Sequence, residues 1–184
     1  MKHLLTVLFL CTQMMAGAQS TYYTKAGTIR FESKAPLENI EAIHRSVTSV
    51  LDASTGRVQF SVLMRGFEFH KSLMQQHFNE NYVESDKYPK ANFSGKVDDN
   101  QLISYSANGS YNVQAKGELT IHGVSRPVSV PGKLLVENGL ITIQAQFAII
   151  LSEYNISIPA LVKEKISKEV SIVIHCRLQP LKKD

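Results

Sequence analysis

The sequence predicts a mainly β fold: a single antiparallel barrel or sandwich of about eight strands, with one or two short helices. Three observations lead there. Apolar and polar residues alternate with a period of two through most of the chain, as in strands with one buried and one solvated face. Turn-forming clusters recur between these runs, at Asp52-Ala53-Ser54-Thr55-Gly56, Asp98-Asp99-Asn100, Ala107-Asn108-Gly109, His122-Gly123 and Glu137-Asn138-Gly139, and such spacing favours short antiparallel connections. One long segment, Lys71 to Pro89, breaks the alternation.

In chain order, the first residues carry Lys2, an apolar run from Leu4 to about Met15, and Ala16-Gly17-Ala18. This pattern predicts a signal peptide over residues 1–18, a single domain over 19–184, and a periplasmic or secreted protein after cleavage near Ala18. The run is shorter than the roughly 20 residues a membrane-spanning helix needs, so no integral membrane segment is expected in the mature chain. Strands follow at Ile29–Phe31, Val47–Leu51 and Val58–Met64. The phase then slips to Phe67 and Phe69, and Gly66 at the slip suggests a bulge. Ser72 and Gln75 are spaced as a capping box, and Met74 and Phe78 lie one helical turn apart, which predicts a short amphipathic helix ended by Pro89. Strands resume at Ala91–Val97, Tyr111–Ile121, Val128–Val136 and Ile141–Leu151. A second helical turn is expected from Pro159, with Leu161, Val162 and Ile166 on one side. The last strand is the cleanest: Val170, Ile172, Ile174, Cys176 and Leu178 alternate with Ser171, Val173, His175 and Arg177.

Barrels remove exposed sheet edges, but composition does not separate barrel from sandwich. The charges do say which face is solvated. Lys96, Lys116, Glu118, Glu169 and Arg177 share the polar face at mid-strand; they would be costly in lipid and crowded in a narrow lumen, so a water-soluble barrel with an apolar interior is expected. The formal net charge of +4 is small and dispersed, which disfavours a nucleic-acid partner.

Little in the sequence marks an enzyme or a cofactor site. After processing, His44, His70, His77, His122 and His175 remain, without metal-ligand spacing. Cys176 has the inward parity of its strand, where a thiolate is disfavoured. No nucleophile elbow or phosphate-binding loop occurs. His122 sits at a corner before Arg126-Pro127, where its imidazole is expected to bond to nearby backbone or water.

The stretches "HFNENYVESDKYPKANFSGKV", "GELTIHGVSRPVSV" and "FAIILSEYNISIP", followed by a last alternating strand, resemble the YceI-like family of exported bacterial proteins from about Gly27 to Leu178. The most specific parts are Phe78…Tyr82…Tyr88-Pro89 with Phe93-x-Gly95, and Leu119-Thr120-Ile121-His122-Gly123-Val124-x-Arg126-Pro127. The resemblance implies a lipocalin-like barrel around an apolar tunnel that holds a polyisoprenoid or related long amphipathic lipid. The early stretch "APLENIEAIHRSVTSVLD" is more polar than the commoner family pattern and lacks its glycine.

An eight-stranded barrel is just wide enough to be filled by its own side chains or to hold one small ligand. The inward positions mix large residues with Ala91, Gly95, Ala115, Gly117 and Ala145, and the small ones leave room that a solid core would fill. The expected lipid-contacting residues are Phe60, Val62, Met64, Phe67, Met74, Phe78, Phe93, Tyr111, Val113, Ala115, Phe147, Ile149, Ile172 and Ile174. Aromatic and Met side chains suit a flexible tail. Arg65, His70, Lys163 and Lys165 could meet an anionic head. The expected partner is thus a long-chain lipid or isoprenoid, with no cofactor. A stress-linked interaction barrel with a filled core and no ligand, and a quinone or small-molecule accessory with enzymatic character, are the alternative readings. Oligomeric state, a dimer included, is left open.

Overall fold

In the computed structural model, which describes residues 20–181, the alternation becomes one closed sheet. The stretch read as a signal peptide lies outside the described residues. Eight long strands carry the sheet: β1 (Thr21–Lys34), β2 (Asn39–Asp52), β3 (Arg57–Leu63), β5 (Lys90–Val97), β6 (Gly109–Ile121), β7 (Val124–Glu137), β8 (Leu140–Ile150) and β9 (Glu169–Pro180). A two-residue strand, β4 (Glu68–Phe69), adds to the free edge of β2. The order β1-β9-β8-β7-β6-β5-β3-β2 is closed by pairing of β1 with β2. That pairing makes the fold a barrel rather than a sandwich, and all neighbours are antiparallel.

Parity and turn chemistry account for most of this. On β9, Val170, Cys176 and Leu178 are buried while Glu169, His175 and Arg177 are exposed. Two hairpins are closed by residue pairs with positive φ, His122-Gly123 (51° and 72°) and Asn138-Gly139 (52° and 77°). Two successive left-handed residues match the twist of the flanking strands. They fix the registers Ile121↔Val124 and Glu137↔Leu140.

The first half of β2 lies in the more polar early stretch, ahead of the strand expected at Val47–Leu51. Its register against β1 slips, from Ile29↔His44 to Gly27↔Val47. Ile40, Ala42 and His44 therefore share the inner face with Val47, Ser49 and Leu51 despite a change of parity. A bulge of this kind leaves an amide without a ladder partner; here the Ser46 N–H donates to Nδ1 of His44 at 3.0 Å.

Two expectations are corrected. Gly66 does not mark a bulge: β3 ends at Leu63, and Met64–Gly66 form a 3-10 turn that leads the chain out of the sheet. A Cβ at Gly66 would collide with the buried imidazole of His44, which requires glycine at this close approach. Nor do Ser72 and Gln75 form a capping box. The Lys71 carbonyl already accepts the amides of Met74 and Gln75, so Lys71 is the cap residue and Ser72 is the first residue of α1 (Ser72–His77). The helix runs into a π-helical turn over Phe78–Tyr82. After Pro159 a single 3-10 turn forms, Ala160–Val162.

The barrel is unevenly laced. Pairing of β7 with β8 extends only from Gly132↔Ala145 to Glu137↔Leu140, and the preceding half of β7 is bonded to β6 alone. Pro127 and Pro131 lie in that half, where a missing N–H costs no ladder bond on the free side. The 3-10 turn Leu151–Tyr154 covers this edge. Arg126 Nε donates to the Glu153 carbonyl at 3.0 Å, and His122 Nδ1 lies 3.1 Å from the Tyr154 carbonyl.

Candidate functional site

The β1–β2 turn, the Met64–Pro89 connection, the β6–β7 hairpin and the Leu151–Lys168 connection all gather at one end of the barrel. There the interior opens into a cavity of about 480 Å³. Of the residues that parity and resemblance single out, Phe60, Val62, Met64, Phe67, Met74, Phe78, Phe93, Phe147, Ile149 and Ile172 line it. Val113 and Ala115 instead line a separate void of about 70 Å³ deeper in the barrel. Phe60, Phe93, Leu119 and Phe147 border both spaces, and so form the partition between them.

Two of the expected residues line neither space. Tyr111 lies at the far end, where its hydroxyl accepts the Ser104 amide at 3.3 Å, and Ile174 packs into the core deeper along β9. Their parity is inward, but parity gives the face of a strand and not the depth along it.

The cavity wall has two textures. One side is a cluster of phenylalanines that seats the helical connection on the sheet: Phe78 stacks on Phe31 at 5.5 Å and meets Phe67 and Phe69 at 5.7 and 5.1 Å. Phe78 therefore both anchors α1 and faces the cavity. The opposite side is aliphatic, with Leu119, Ile121, Ile149, Leu151, Ile156 and Val170. Ile121 and Val170 continue parities visible in the sequence. Leu151 keeps the inward parity of the run Ile141–Leu151 although β8 ends at Ile150, whereas Ile156 lies in an irregular connection, where no periodicity could flag it. Tyr82 and Val83 also line the cavity from the irregular end of the helical segment.

The mouth is polar and mainly basic. Lys71, His77, Lys165 and Glu38 border it, with Lys71 Nζ 3.1 Å from Glu38 Oε1. Of the four cationic side chains expected there, only Lys165 is in place. Arg65 is paired with Asp86, and His70 and Lys163 do not border the cavity. Sequence spacing does not single out Lys71 and His77: Lys71 caps α1 and His77 ends it, and the rotation of so short a helix turns both toward the opening.

His122 is the corner its turn chemistry implies, and it also ties three segments together. One ring nitrogen meets the Tyr154 carbonyl and the other lies 2.7 Å from Glu84 Oε2, while the Tyr88 ring packs edge-on at 4.5 Å. A Cβ at Gly123 would strike that tyrosine ring, so glycine is needed for the approach as well as for the turn. The motif is thus a clamp holding two connections over the barrel end.

Two buried titratable groups, Cys176 and His44, do not border the cavity. Burial pushes the Cys176 thiol up to about 12, which keeps it protonated. A Cβ at Gly27 would collide with its sulfur. Burial likewise lowers the pKa of His44. Among the described residues no group of three or more His, Cys, Asp and Glu is placed to hold a metal ion, and no helix is long and apolar enough to cross a membrane.

No curated protein matches the chain. Among solved structures, the fold is similar to a polyisoprenoid binding domain from Saccharophagus degradans implicated in plant cell wall breakdown (14% identity, TM-score 0.77, 89% of this chain and 99% of that one). It is also similar to BcnA of Burkholderia cenocepacia (19% identity, TM-score 0.66, 83% and 95%). A third is the YCEI protein of Campylobacter jejuni (14% identity, TM-score 0.54, 75% and 81%). At these identities the likeness is one of fold. The sequence itself matches the model of the YceI-like domain over residues 6–178. With nearly the whole chain matched and the same closed barrel observed, this protein belongs to the YceI-like domain family.

Proposed function

We propose that this protein is an exported lipid-holding barrel that sequesters or carries one polyisoprenoid or similar amphipathic chain, tail in the cavity and head at the mouth. The observation that carries the reading is the apolar cavity of about 480 Å³, open at one end beside Lys71, His77 and Lys165. Its size falls within the roughly 300–1,000 Å³ of small-molecule sites. At about 30 Å³ for a group the size of water, it accommodates roughly 16 such groups, the bulk of a single chain of fifteen or so carbons. Each buried CH₂ contributes about 0.8 kcal/mol, so such a tail binds without any strong polar anchor. The polyisoprenoid binding of the Saccharophagus domain supports the same class of ligand. The basic rim favours a phosphate or carboxylate head. Export rests on the Lys2, apolar and Ala-x-Ala pattern of the first residues.

The test is uptake of a fifteen-carbon prenyl diphosphate and a sixteen-carbon fatty acid, read by native mass spectrometry as a one-to-one adduct. Phe147→Arg places a charge on the partition of the cavity; it is expected to abolish uptake while the β-sheet circular-dichroism signal stays. A folded wild-type barrel that takes up neither probe overturns the reading and leaves an interaction barrel without ligand. Uptake unchanged in Phe147→Arg removes the cavity as its site.

A further inference from the structure

We propose that the mouth of the barrel is a docking surface for an anionic lipid bilayer, so that a chain passes between membrane and cavity without crossing water. The inference rests on the lipid-holding reading and adds where the lipid comes from. Seven large apolar side chains stand exposed on the described residues, and five of them, Leu37, Leu63, Leu73, Ile150 and Leu161, lie at the mouth end. The other two, Leu102 and Leu181, are at the far end.

Three of the five ring the opening itself. Leu37 is on the β1–β2 turn at 67% exposure, Leu73 is on α1 at 60%, and Leu161 is on the 3-10 turn after Pro159 at 97%. The three segments touch: the Leu37 amide donates to the Glu164 carbonyl, and Glu38 pairs with Lys71 just before α1. Side chains this size so fully in water, grouped around one opening, mark an interaction surface rather than scattered exposure.

Charge selects the occupant. Between Pro159 and Lys168 the exposed residues Lys163, Lys165 and Lys168 accompany a single acid, Glu164, with Glu169 following at the start of β9. Leucines that project beside lysines suit a surface with apolar depth under a negatively charged face, as in a bilayer of anionic lipids. The same segment is also the wall of the cavity, since Val162, Lys165 and Ile166 line it. Insertion of Leu161 therefore sets the opening against the acyl region.

Flotation with vesicles tests this, comparing phosphatidylcholine alone with phosphatidylcholine containing phosphatidylglycerol. The wild type is expected to float with the anionic vesicles and to be released by salt, because the attraction between exposed charges is screened. Lys163→Gln with Lys168→Gln, neither lining the cavity, should weaken flotation by roughly fivefold per lysine. Leu161→Gln should weaken it by about tenfold. In these variants, uptake of the prenyl diphosphate from vesicle-free solution should be unchanged, while the rate of uptake from anionic vesicles falls. A protein that takes up the probe from solution but does not float, or that floats equally after these substitutions, overturns the docking surface and leaves the lipid-holding reading standing. Flotation without uptake of any probe has the reverse consequence. If Leu161→Gln instead converts a dimer to monomers by light scattering, the surface joins copies of this chain and the proposal falls.

Discussion

The two halves of the barrel interior are built from the same alternating strands, yet one is filled but for a void of about 70 Å³ and the other is hollow. At the far half, Leu51, Val58, Leu134, Val136, Ile141, Cys176 and Leu178 are buried almost without exposure. Tyr105 closes the end, 6.4 Å from Tyr22, with its hydroxyl donating to Asn100 Oδ1 at 2.7 Å; burial pushes its pKa to about 12. At the mouth half the strands part. The β7–β8 ladder stops at Gly132↔Ala145, β3 stops at Leu63, and phenylalanines on the helical connection line the widened space from one side only. Lacing rather than residue type makes the difference: a fully hydrogen-bonded ring draws opposite walls to packing distance, and a ring held open by long connections does not.

The largest expected effect breaks this contrast directly. Leu134 is 1% exposed in the solid half, and Leu134→Ala should cost about 2–5 kcal/mol as a buried large-to-small change. Met74→Ala, on the cavity wall, leaves no new enclosed void and should cost well under half of that. Urea unfolding of both variants measures it. Equal losses would mean that the mouth half is packed as tightly as the far half.

What the sequence made legible follows the same division. Where strands pair fully, alternation gave both the strand and its inward face, as for Val170 through Leu178. It also gave the closing turns, since His122-Gly123 and Asn138-Gly139 require left-handed backbone. Where lacing fails, the chain leaves the regular periods. Ile156 reaches the cavity from a connection, Lys71 and His77 from the two ends of a short helix, and Ile40 from behind a bulge that resets parity. Tyr111 and Ile174 show the remaining gap: alternation fixed their face, while their depth along the barrel depends on register, which no single strand contains.

A smaller effect sharpens the comparison through pH. His44 belongs to the inner face of β2 at the junction of the two halves, 2% exposed and with its pKa lowered chiefly by burial. Its folded pKa lies below the unfolded value near 6.5, so the unfolded chain binds the extra proton first. The contribution of neutral His44 to stability is complete above about pH 6.5 and is lost as pH falls through the folded pKa, with a slope of at most about 1.4 kcal/mol per pH unit. His44→Phe should flatten the stability profile below about pH 6.5, read from urea midpoints. A variant that keeps the wild-type slope would assign the acid sensitivity to another group.

The smallest effect concerns the partition between the halves. The Phe93 ring folds back over Gly95, where a Cβ would collide with it, and stands 6.3 Å from Phe60. On the lipid-holding reading, these rings set how far a tail descends. Phe93→Ala should join the main cavity to the void of about 70 Å³. That void holds roughly two more groups at about 30 Å³ each. Two further buried methylenes are worth about 1.6 kcal/mol, so the preferred tail should lengthen by two carbons or more, with a gain of roughly tenfold for the longer member of a homologous fatty-acid series. Adding Ala115→Phe, which refills the void from β6, should restore the wild-type ranking. An unchanged ranking in Phe93→Ala would place the end of the tail above the partition, and the solid half would then contribute stability to the barrel but nothing to its choice of ligand.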